Sequence, residues 1–330
     1  MSVEESQPAE APCPASGPSP LEVKGDAGID GKAIDHQGDV RICGSICHGI
    51  AVRASGSITV LGTIELAGVD AGGDLTCEGS IVGRGKGRYT AAHGISCRSC
   101  NSGTLQAGDD VTVAVELVSS RVTCGGVLRA ATAHVFGGHI TANGGVECNV
   151  LGTPGNAETV VEVGLDEPLL SLSDQQAPSI EANFKRAEKI RSQVKPLLDV
   201  QRSLTAKQKE TATELLFQAD ELREKTDAIV VNLREHLTRA LQRARTAVTV
   251  NSMAYPGVTL RFPSGEYRVE RVIKGPVRFE CRGKGTTATL VVIDLETQAE
   301  TTLGLHKACN PRLATLLRAL TPPKPERQSA

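Results

Sequence analysis

The sequence predicts a mainly β protein: a right-handed parallel β-helix, interrupted by an antiparallel α-helical hairpin of the coiled-coil type and followed by a C-terminal β module. Three observations support this prediction. A short motif of apolar and small residues recurs along the first half of the chain, the period changes from strand to helix near Ser179, and strand patterns return near Tyr255.

The composition fits a solenoid and argues against several classes of function. The 330 residues are 40% hydrophobic and include 34 glycines, enough for a core with many tight turns. Aromatic residues make up 2% and Trp is absent, which leaves little material for a sugar-stacking or base-stacking platform. The net charge of -2 indicates neither nucleic acid nor an anionic membrane as partner. No apolar run approaches the roughly 18 to 20 residues that span a bilayer.

The repeat has an apolar leading residue, a small residue two positions later and a turn residue four positions later. The leading residues stand 16 to 20 positions apart: Ile34, Val52, Val69, Tyr89, Leu105, Val122 and Ile140. The small positions are mostly alanine: Ala54, Ala71, Ala91, Ala107, Cys124 and Ala142. Eight positions after each leading residue comes a second set: Ile42, Val60, Cys77, Cys97, Val113, Ala130 and Cys148. The small residues and the set eight positions after the leading residues are both typical of inward ladders in stacked strands.

These ladders predict about seven turns. A left-handed hexapeptide helix is the alternative solenoid, but its apolar positions recur every six residues, whereas these turns vary in length. The chain then divides into five segments: a disordered leader (1–22), the β-helix (23–165), the helical hairpin (178–247), a β module packing back on the β-helix (248–320) and a disordered tail (321–330).

The hairpin is indicated by apolar residues spaced by threes and fours, from Ile180 to Leu197 and from Leu215 to Ala244. Thr205 followed by Gln208 predicts a capping box at the start of the second helix. That helix, at about 38 residues, would be roughly 55 Å long, so the hairpin should project as an arm. Three apolar residues outside the seam are candidate partner contacts: Leu216, Phe217 and Val231.

A basic glycine-rich segment, Gly83 to Arg88, resembles a phosphate-binding loop. It lacks the Lys-Ser/Thr ending of that motif, and no helix pattern follows it. We interpret it as a solvated loop between turns, and the alternative is an anion or partner contact through Arg84, Lys86 and Arg88.

The 10 cysteines suggest a disulfide framework or a metal site, but the leader lacks the basic and apolar regions of a signal peptide. We therefore expect a cytoplasmic protein with reduced thiols. Cys97 and Cys100 form a CxxC that a zinc or redox hypothesis could combine with Cys43, Cys47 and His48. Cys97 lies on the inward ladder and Cys100 comes three residues later, so the two side chains should not converge. We interpret the cysteines as core residues and expect no metal and no cofactor.

Other candidate catalytic groups are sparse. Four histidines are scattered without metal-binding spacing: His134, His139, His236 and His306. Asp39, Asp109 and Asp110 stand at turns, where Asp is favoured for local hydrogen bonding. A polysaccharide lyase or hydrolase would need such acids clustered along one groove.

The order of several motifs resembles the bacterial flagellar assembly protein A family over about residues 26–305. The motifs are Gly38-Asp39-Val40, His48 to Ala54, Gly79 to Gly87, Phe136 to Ala142, Val150-Leu151-Gly152 and Tyr255-Pro256-Gly257-Val258. The resemblance implies a cytoplasmic β-helix interrupted by a coiled-coil hairpin, associated by name with flagellar assembly or polar organisation, and no catalytic residues. Family members commonly carry a sizeable N-terminal domain where this sequence has its leader, so a function of that domain does not carry over.

The sequence therefore predicts a non-catalytic scaffold, with the β-helix as a rigid base and the arm presenting a helical surface to a protein partner or to a second copy in a homo-oligomer. The main alternative is a carbohydrate-active β-helix enzyme, a lyase or hydrolase. A hexapeptide acyltransferase would require a six-residue period and a catalytic His between turns.

Overall fold

The computed structural model describes residues 19–165, 167–199, 205–243, 247–283 and 288–306, together with Leu320. Two helices are present in these residues, α1 (Glu167–Asp199) and α2 (Ala206–Arg243). The strands are β1 (Leu21–Val23), β2 (Ile34–His36), β3 (Val40–Ile42), β4 (Ala51–Ala54), β5 (Ile58–Val60), β6 (Ile64–Glu65), β7 (Gly68–Ala71), β8 (Leu75–Val82), β9 (Arg88–Ala91), β10 (Ile95–Asn101), β11 (Thr104–Ala107), β12 (Val111–Cys124), β13 (Leu128–Ala142), β14 (Val146–Leu151), β15 (Thr159–Val163), β16 (Ala247–Ala254), β17 (Val258–Phe262), β18 (Gly265–Arg268), β19 (Ile273–Lys274), β20 (Val277–Arg282), β21 (Thr289–Asp294) and β22 (Glu300–Leu303).

The strands before α1 form a β-solenoid of about eight turns. Along one side, parallel pairing stacks Ile42 on Val60, Cys77 and Cys97 in the predicted order. Along a second side, the small residues stack as predicted: Ala54, Ala71, Ala91, Ala107, Cys124 and Ala142. All of these side chains are buried. The two ladders read from the repeat are confirmed.

A third ladder, which the repeat did not reveal, closes the core. Its members are buried and paired from turn to turn: Ala27, Ile46, Ile64, Ile81, Cys100, Leu117, Val135, Leu151 and Ala254. The number of residues between the first ladder and this one varies, as in Val60 to Ile64 against Cys97 to Cys100. Because the corner between these two ladders varies in length, the third ladder has no fixed period in the sequence, although its side chains belong to the same continuous core.

The solenoid also begins earlier than predicted. Strand β1 pairs in parallel with β3 and starts at Leu21, so the boundary predicted at residue 23 falls inside a strand. Residues 1–18 of the expected leader lie outside the described residues.

Aspartates at the corners tie each turn to the next. The Asp39 carboxylate accepts the Ser57 N–H at 2.7 Å, and the Asp110 carboxylate accepts the Val127 N–H at 2.7 Å. A Cβ on Gly56 would stand 2.2 Å from the Asp39 carboxylate oxygen, so only glycine fits over this bond. These bonds between aspartate side chains and the backbone of the next turn fix the register of successive turns at the corners.

After the helices, the chain returns to the solenoid. Val146 pairs with Val248 and Val161 with Leu260, so β16 and β17 form one more layer on the turn that precedes the arm. Strands β18 to β22 then add antiparallel pairs at this end. The segment 248–320, predicted as a β module that packs back on the β-helix, therefore begins as a layer of the solenoid itself. The short helix expected near Arg312 and the tail 321–330 lie outside the described residues.

We call the two helices the helical arm. They pack mainly against each other, and within the described residues neither helix contacts a strand to the same extent. Ile180 of α1 packs in one cluster with Leu233 and Leu237 of α2, and Arg191 pairs with Asp220, so the helices run antiparallel. Helix α1 begins at Glu167 rather than near residue 178. The apolar spacing that predicted the start begins at Ile180, whereas the helix runs from Glu167 through Pro178.

The predicted capping box is confirmed, because the Thr205 N–H donates to the Gln208 side-chain oxygen at 2.9 Å. Among the described residues, no helix has the length and apolar content that crossing a membrane requires.

Candidate functional site

The outer face of α2 carries exposed apolar residues. At 3.6 residues per turn, positions 217, 224, 228, 231 and 235 lie on one side of the helix. We define these residues, Phe217, Glu224, Ala228, Val231 and Glu235, as the outer face. Phe217 is 69% exposed and Val231 is 52% exposed. Leu216, the third predicted contact, is half-buried beside this face.

The opposite side of α2 is the seam with α1. Its buried residues are Ala212, Ala219, Thr226, Val230, Leu233 and Leu237. The Thr226 hydroxyl donates to the Leu222 carbonyl at 2.7 Å, so this polar residue is satisfied inside the seam. The predicted series of threes and fours from Leu215 to Ala244 includes Ile229 as a seam residue, and this assignment is wrong, because Ile229 is 40% exposed and Val230 is buried in its place. Phe217 and Val231 therefore point away from the seam and lie on the opposite side of the helix.

Apart from the Arg191–Asp220 pair between the helices, the ion pairs described on the arm join exposed residues four apart on one helix. Glu221 and Lys225 approach to 2.7 Å, and Glu235 and Arg239 approach to 3.2 Å, each four residues apart on α2. Pairs of this kind contribute at most about 0.5 kcal/mol each. They keep the arm solvated, and they leave Glu224 without a described ion pair on the outer face, between Phe217 and Val231.

A small apolar cluster holds the base of the arm. Leu165, which follows the last strand before the arm, packs with residues of both helices and of the C-terminal segment: Ile180, Val230, Leu233, Leu237 and Leu320. The Arg234 guanidinium donates to the Leu320 carbonyl. This cluster is separate from the continuous core of the solenoid.

Beside the insertion, an ionic cluster links three successive layers of the solenoid. Glu162 lies 3.2 Å from the His139 ring nitrogen and 3.0 Å from the Arg261 guanidinium, which also contacts Glu266 at 3.2 Å. Burial acts to raise the pKa of the Glu162 carboxyl, but the hydrogen bonds and charges of His139 and Arg261 outweigh it and hold that pKa below its usual value. His139 precedes the arm and Arg261 follows it, so the cluster joins the two sides of the insertion.

Sequence reasoning missed this cluster and treated His139 as a scattered histidine. The partners Glu162 and Arg261 are 99 residues apart. The strand register would have revealed the Glu162–Arg261 pair, because Thr141, Glu162 and Arg261 occupy equivalent outward positions in consecutive layers.

The basic loop lies on the solenoid, apart from the arm. Arg84, Lys86 and Arg88 are exposed, and Gly83 and Gly87 are buried beneath them. Four loop amides, those of residues 83, 85, 86 and 87, donate to backbone carbonyls. A phosphate cradle needs several free N–H groups, so this loop offers a partner mainly its side chains.

The CxxC cysteines lie in the core. Cys97 and Cys100 are both buried, on different sides of the same turn, so Cys100 also points inward, contrary to the contrast drawn from the sequence. Burial raises the pKa of both thiols, and it raises that of Cys77 to about 11. Such thiols stay protonated at neutral pH, whereas metal binding and redox exchange use the thiolate. The described residues contain no group of three or more potential ligands placed to hold a metal ion.

Comparison with known protein families identifies the family to which this architecture belongs. The family model of the flagellar assembly protein A beta solenoid domain matches residues 19–285. The chain belongs to the flagellar assembly protein A family. The matched range includes the solenoid, the helical arm and the return strands from β16 to β20. The resemblance read from the sequence is confirmed.

No curated protein and no solved structure gives a significant match to the chain.

Proposed function

We propose that this protein is a non-catalytic scaffold related to flagellar assembly, in which the solenoid is a rigid base and the outer face of α2 binds a partner protein. The observation that carries the proposal is the exposure of Phe217 and Val231 on the side of α2 that faces away from α1. The family match supports the flagellar part of the proposal, with assembly or polar organisation in the cytoplasm as its setting.

The chemistry of the outer face indicates the kind of partner. Phe217 and Val231 are 14 residues apart, which corresponds to about 21 Å along a straight helix. Glu221 and Glu224 lie between them and are exposed. An amphipathic helix with two apolar anchors and basic residues beside them would match both features. The hot spot would be Phe217, since aromatic side chains contribute most when a partner buries them.

The positions of the candidate acids argue against the carbohydrate-active alternative. Asp39 and Asp110 each use a carboxylate oxygen to accept a backbone N–H, and Asp110 also pairs with Arg129 at 3.0 Å. Asp109 lies 3.3 Å from the His93 ring. These contacts are those of turn and surface residues, not of an acid pair facing one groove.

Two architectural details belong to the same proposal. We infer that the turns wind to the right, as parallel β connections strongly prefer, and that the arm is a coiled coil. The threes-and-fours spacing of the buried residues of α2 supports the second inference. An experimental structure would test both.

The binding test compares two charge-matched double variants of the full chain. Phe217→Glu/Val231→Glu adds two negative charges to the outer face, and Gln106→Glu/Thr112→Glu adds two to exposed positions of the solenoid. Partners of the wild type would be identified by copurification from the native cell, and binding then measured with the purified partner. We expect the arm variant to bind about 100-fold more weakly, a loss of roughly 2.7 kcal/mol, and the solenoid variant to bind normally.

The proposed role in flagellar assembly is tested separately, by observing the flagella of cells that carry each variant. In the native bacterium, the arm variant should reduce the number of assembled flagella or misplace them, and the solenoid variant should not. Normal partner binding by the arm variant, or equal loss in both variants, would move the binding function away from the outer face.

A further inference from the structure

The two ends of the solenoid differ in how their strand edges are used. At the end that follows the arm, β16 pairs with β19 and β20, and β17 pairs with β18, so antiparallel strands continue the sheet. At the other end, within the part of the chain that the structure describes, β1 pairs only with β3 and β2 only with β4. An unpaired strand edge is a template for another strand.

The backbone of β1 has hydrogen-bonding groups on its free side. The Leu21 N–H donates to the Asp39 carbonyl and the Val23 carbonyl accepts the Cys43 N–H, so these two residues face β3. Successive residues of a strand turn their N–H and C=O groups to opposite edges. The N–H and C=O of Glu22 therefore point away from the solenoid.

Apolar side chains at this end are incompletely covered. Leu21, Val23 and Ile34 are only half-buried, whereas the residues that pair with them in the next turn, Val40, Ile42 and Val52, are at most 1% exposed. Ile29, in the loop of the first turn, is 74% exposed. A further layer stacked on β1 and β2 would complete the ladders.

We propose that a second copy of this chain supplies that layer, with the β1 strands of the two copies pairing antiparallel about a two-fold axis at Val23. The charges of Glu22 in β1 and of Lys24, the residue that follows β1, support this register. With the axis at Val23, Glu22 of each copy lies opposite Lys24 of the other, so two pairs of opposite charges form. An axis at Glu22 would place the two Glu22 side chains against each other. Glu22 and Lys24 are both exposed in the single chain.

The leader is the other occupant to consider, and its sequence is poorly suited to a strand. Residues 1–18 contain four prolines, Pro8, Pro12, Pro14 and Pro18, and Val3 as their only β-branched residue. Proline has no N–H to donate to a strand ladder, and strands favour β-branched residues. A second copy presents a preformed edge with complementary charges.

The test measures the mass of the full chain by sedimentation as a function of concentration. The wild type should form a dimer. Glu22→Lys and Lys24→Glu should each weaken dimerisation at least about tenfold, because each places like charges opposite each other twice. The double variant Glu22→Lys/Lys24→Glu restores opposite pairs and should dimerise as the wild type does. Lys32→Glu, the same charge change in the first turn but eight residues beyond Lys24 in the loop before β2, should have no effect.

A second measurement covers the case in which the charge variants change folding. In the proposed pairing, the two Val23 Cα atoms are about 4.5 Å apart, which is within the range of a disulfide. Val23→Cys should therefore give a cross-linked dimer on mild oxidation, in excess of any given by the wild type.

Three results would overturn the proposal. They are a wild type that stays monomeric at about 100 µM, a dimer that the two single charge reversals leave intact, and a monomer that dimerises only after residues 2–18 are removed. The last result would show that the leader covers β1.

Discussion

The solenoid and the helical arm are stabilised in different ways. Each interior turn of the solenoid packs between two others through three inward ladders, and aspartates at several corners bind the following turn. The arm depends on one seam between two helices and on the small cluster around Leu165 at its base. A solenoid gains stability cooperatively from every neighbouring interface, whereas a two-helix arm gains it from one. We therefore expect the arm to open without unfolding of the solenoid.

The largest expected effect comes from a charge inside a solenoid ladder. Ala71 is 1% exposed and stacks between Ala54 and Ala91. Ala71→Arg would bury an unpaired charge at a cost of roughly 3 to 5 kcal/mol, so we expect little soluble protein. Ala228→Arg, on the outer face of α2, should leave the thermal midpoint unchanged. Equal stability of the two variants would show that the ladder assignment is wrong.

Removal of the arm should leave a folded solenoid. In the preceding turn, only Asn143, Gly144 and Gly145 separate Ala142 from Val146. Joining Val163 to Val248 through Gly164 and two glycines should reproduce that connection. We expect circular dichroism to lose its helical signal and to keep its strand signal, with cooperative thermal unfolding. An unfolded product would mean that the cluster at Leu165 is essential to the base.

A smaller effect should follow from the cluster that joins the two sides of the insertion. Because the pKa of Glu162 is lower in the folded protein than its unfolded value of about 4.3, its contribution is present above pH 4.3 and is lost as the pH falls through the folded-state pKa. Glu162→Gln should lower the free energy of unfolding by roughly 1.5 to 3 kcal/mol at pH 7. In denaturant titrations, that difference should disappear at the acid end. A difference independent of pH would contradict the role of the charge.

The smallest effect is expected for a core cysteine. Cys97→Ala removes one buried sulfur from a ladder whose neighbours remain, so it should cost about 1 kcal/mol. The measurement is the urea midpoint, with Cys43→Ala as the exposed control. One metal ion bound per wild-type chain, measured by elemental analysis, would instead identify a site among the cysteines.

The sequence predicted the solenoid well where the spacing of small residues is regular. The alanine ladder from Ala54 to Ala142 marks the register because small residues recur at the same position of successive turns. The third side was missed because its corner varies in length. The β-helix was predicted from residue 23, two residues after β1 begins, but its first turn was left out of the count of turns because the motif is read from Ile34.

The arm was predictable in kind but less so in detail. Thr205 and Gln208 marked the start of α2 correctly, since a cap is a local feature. Ile229, Val230 and Val231 are three consecutive β-branched residues, and spacing alone does not decide which of them enters the seam. The cluster around Glu162 depends on contacts across the whole arm, which no local pattern encodes.

Hydrogen exchange of the full chain tests the central claim most directly, because it measures the opening free energy of each region in one molecule. We predict that the strands from β3 to β15 exchange only through global unfolding, and that the amides of α1 and α2 exchange faster, as one unit, by opening of the arm alone. Protection of the arm equal to that of the solenoid strands would show that the two regions unfold together and would contradict the account.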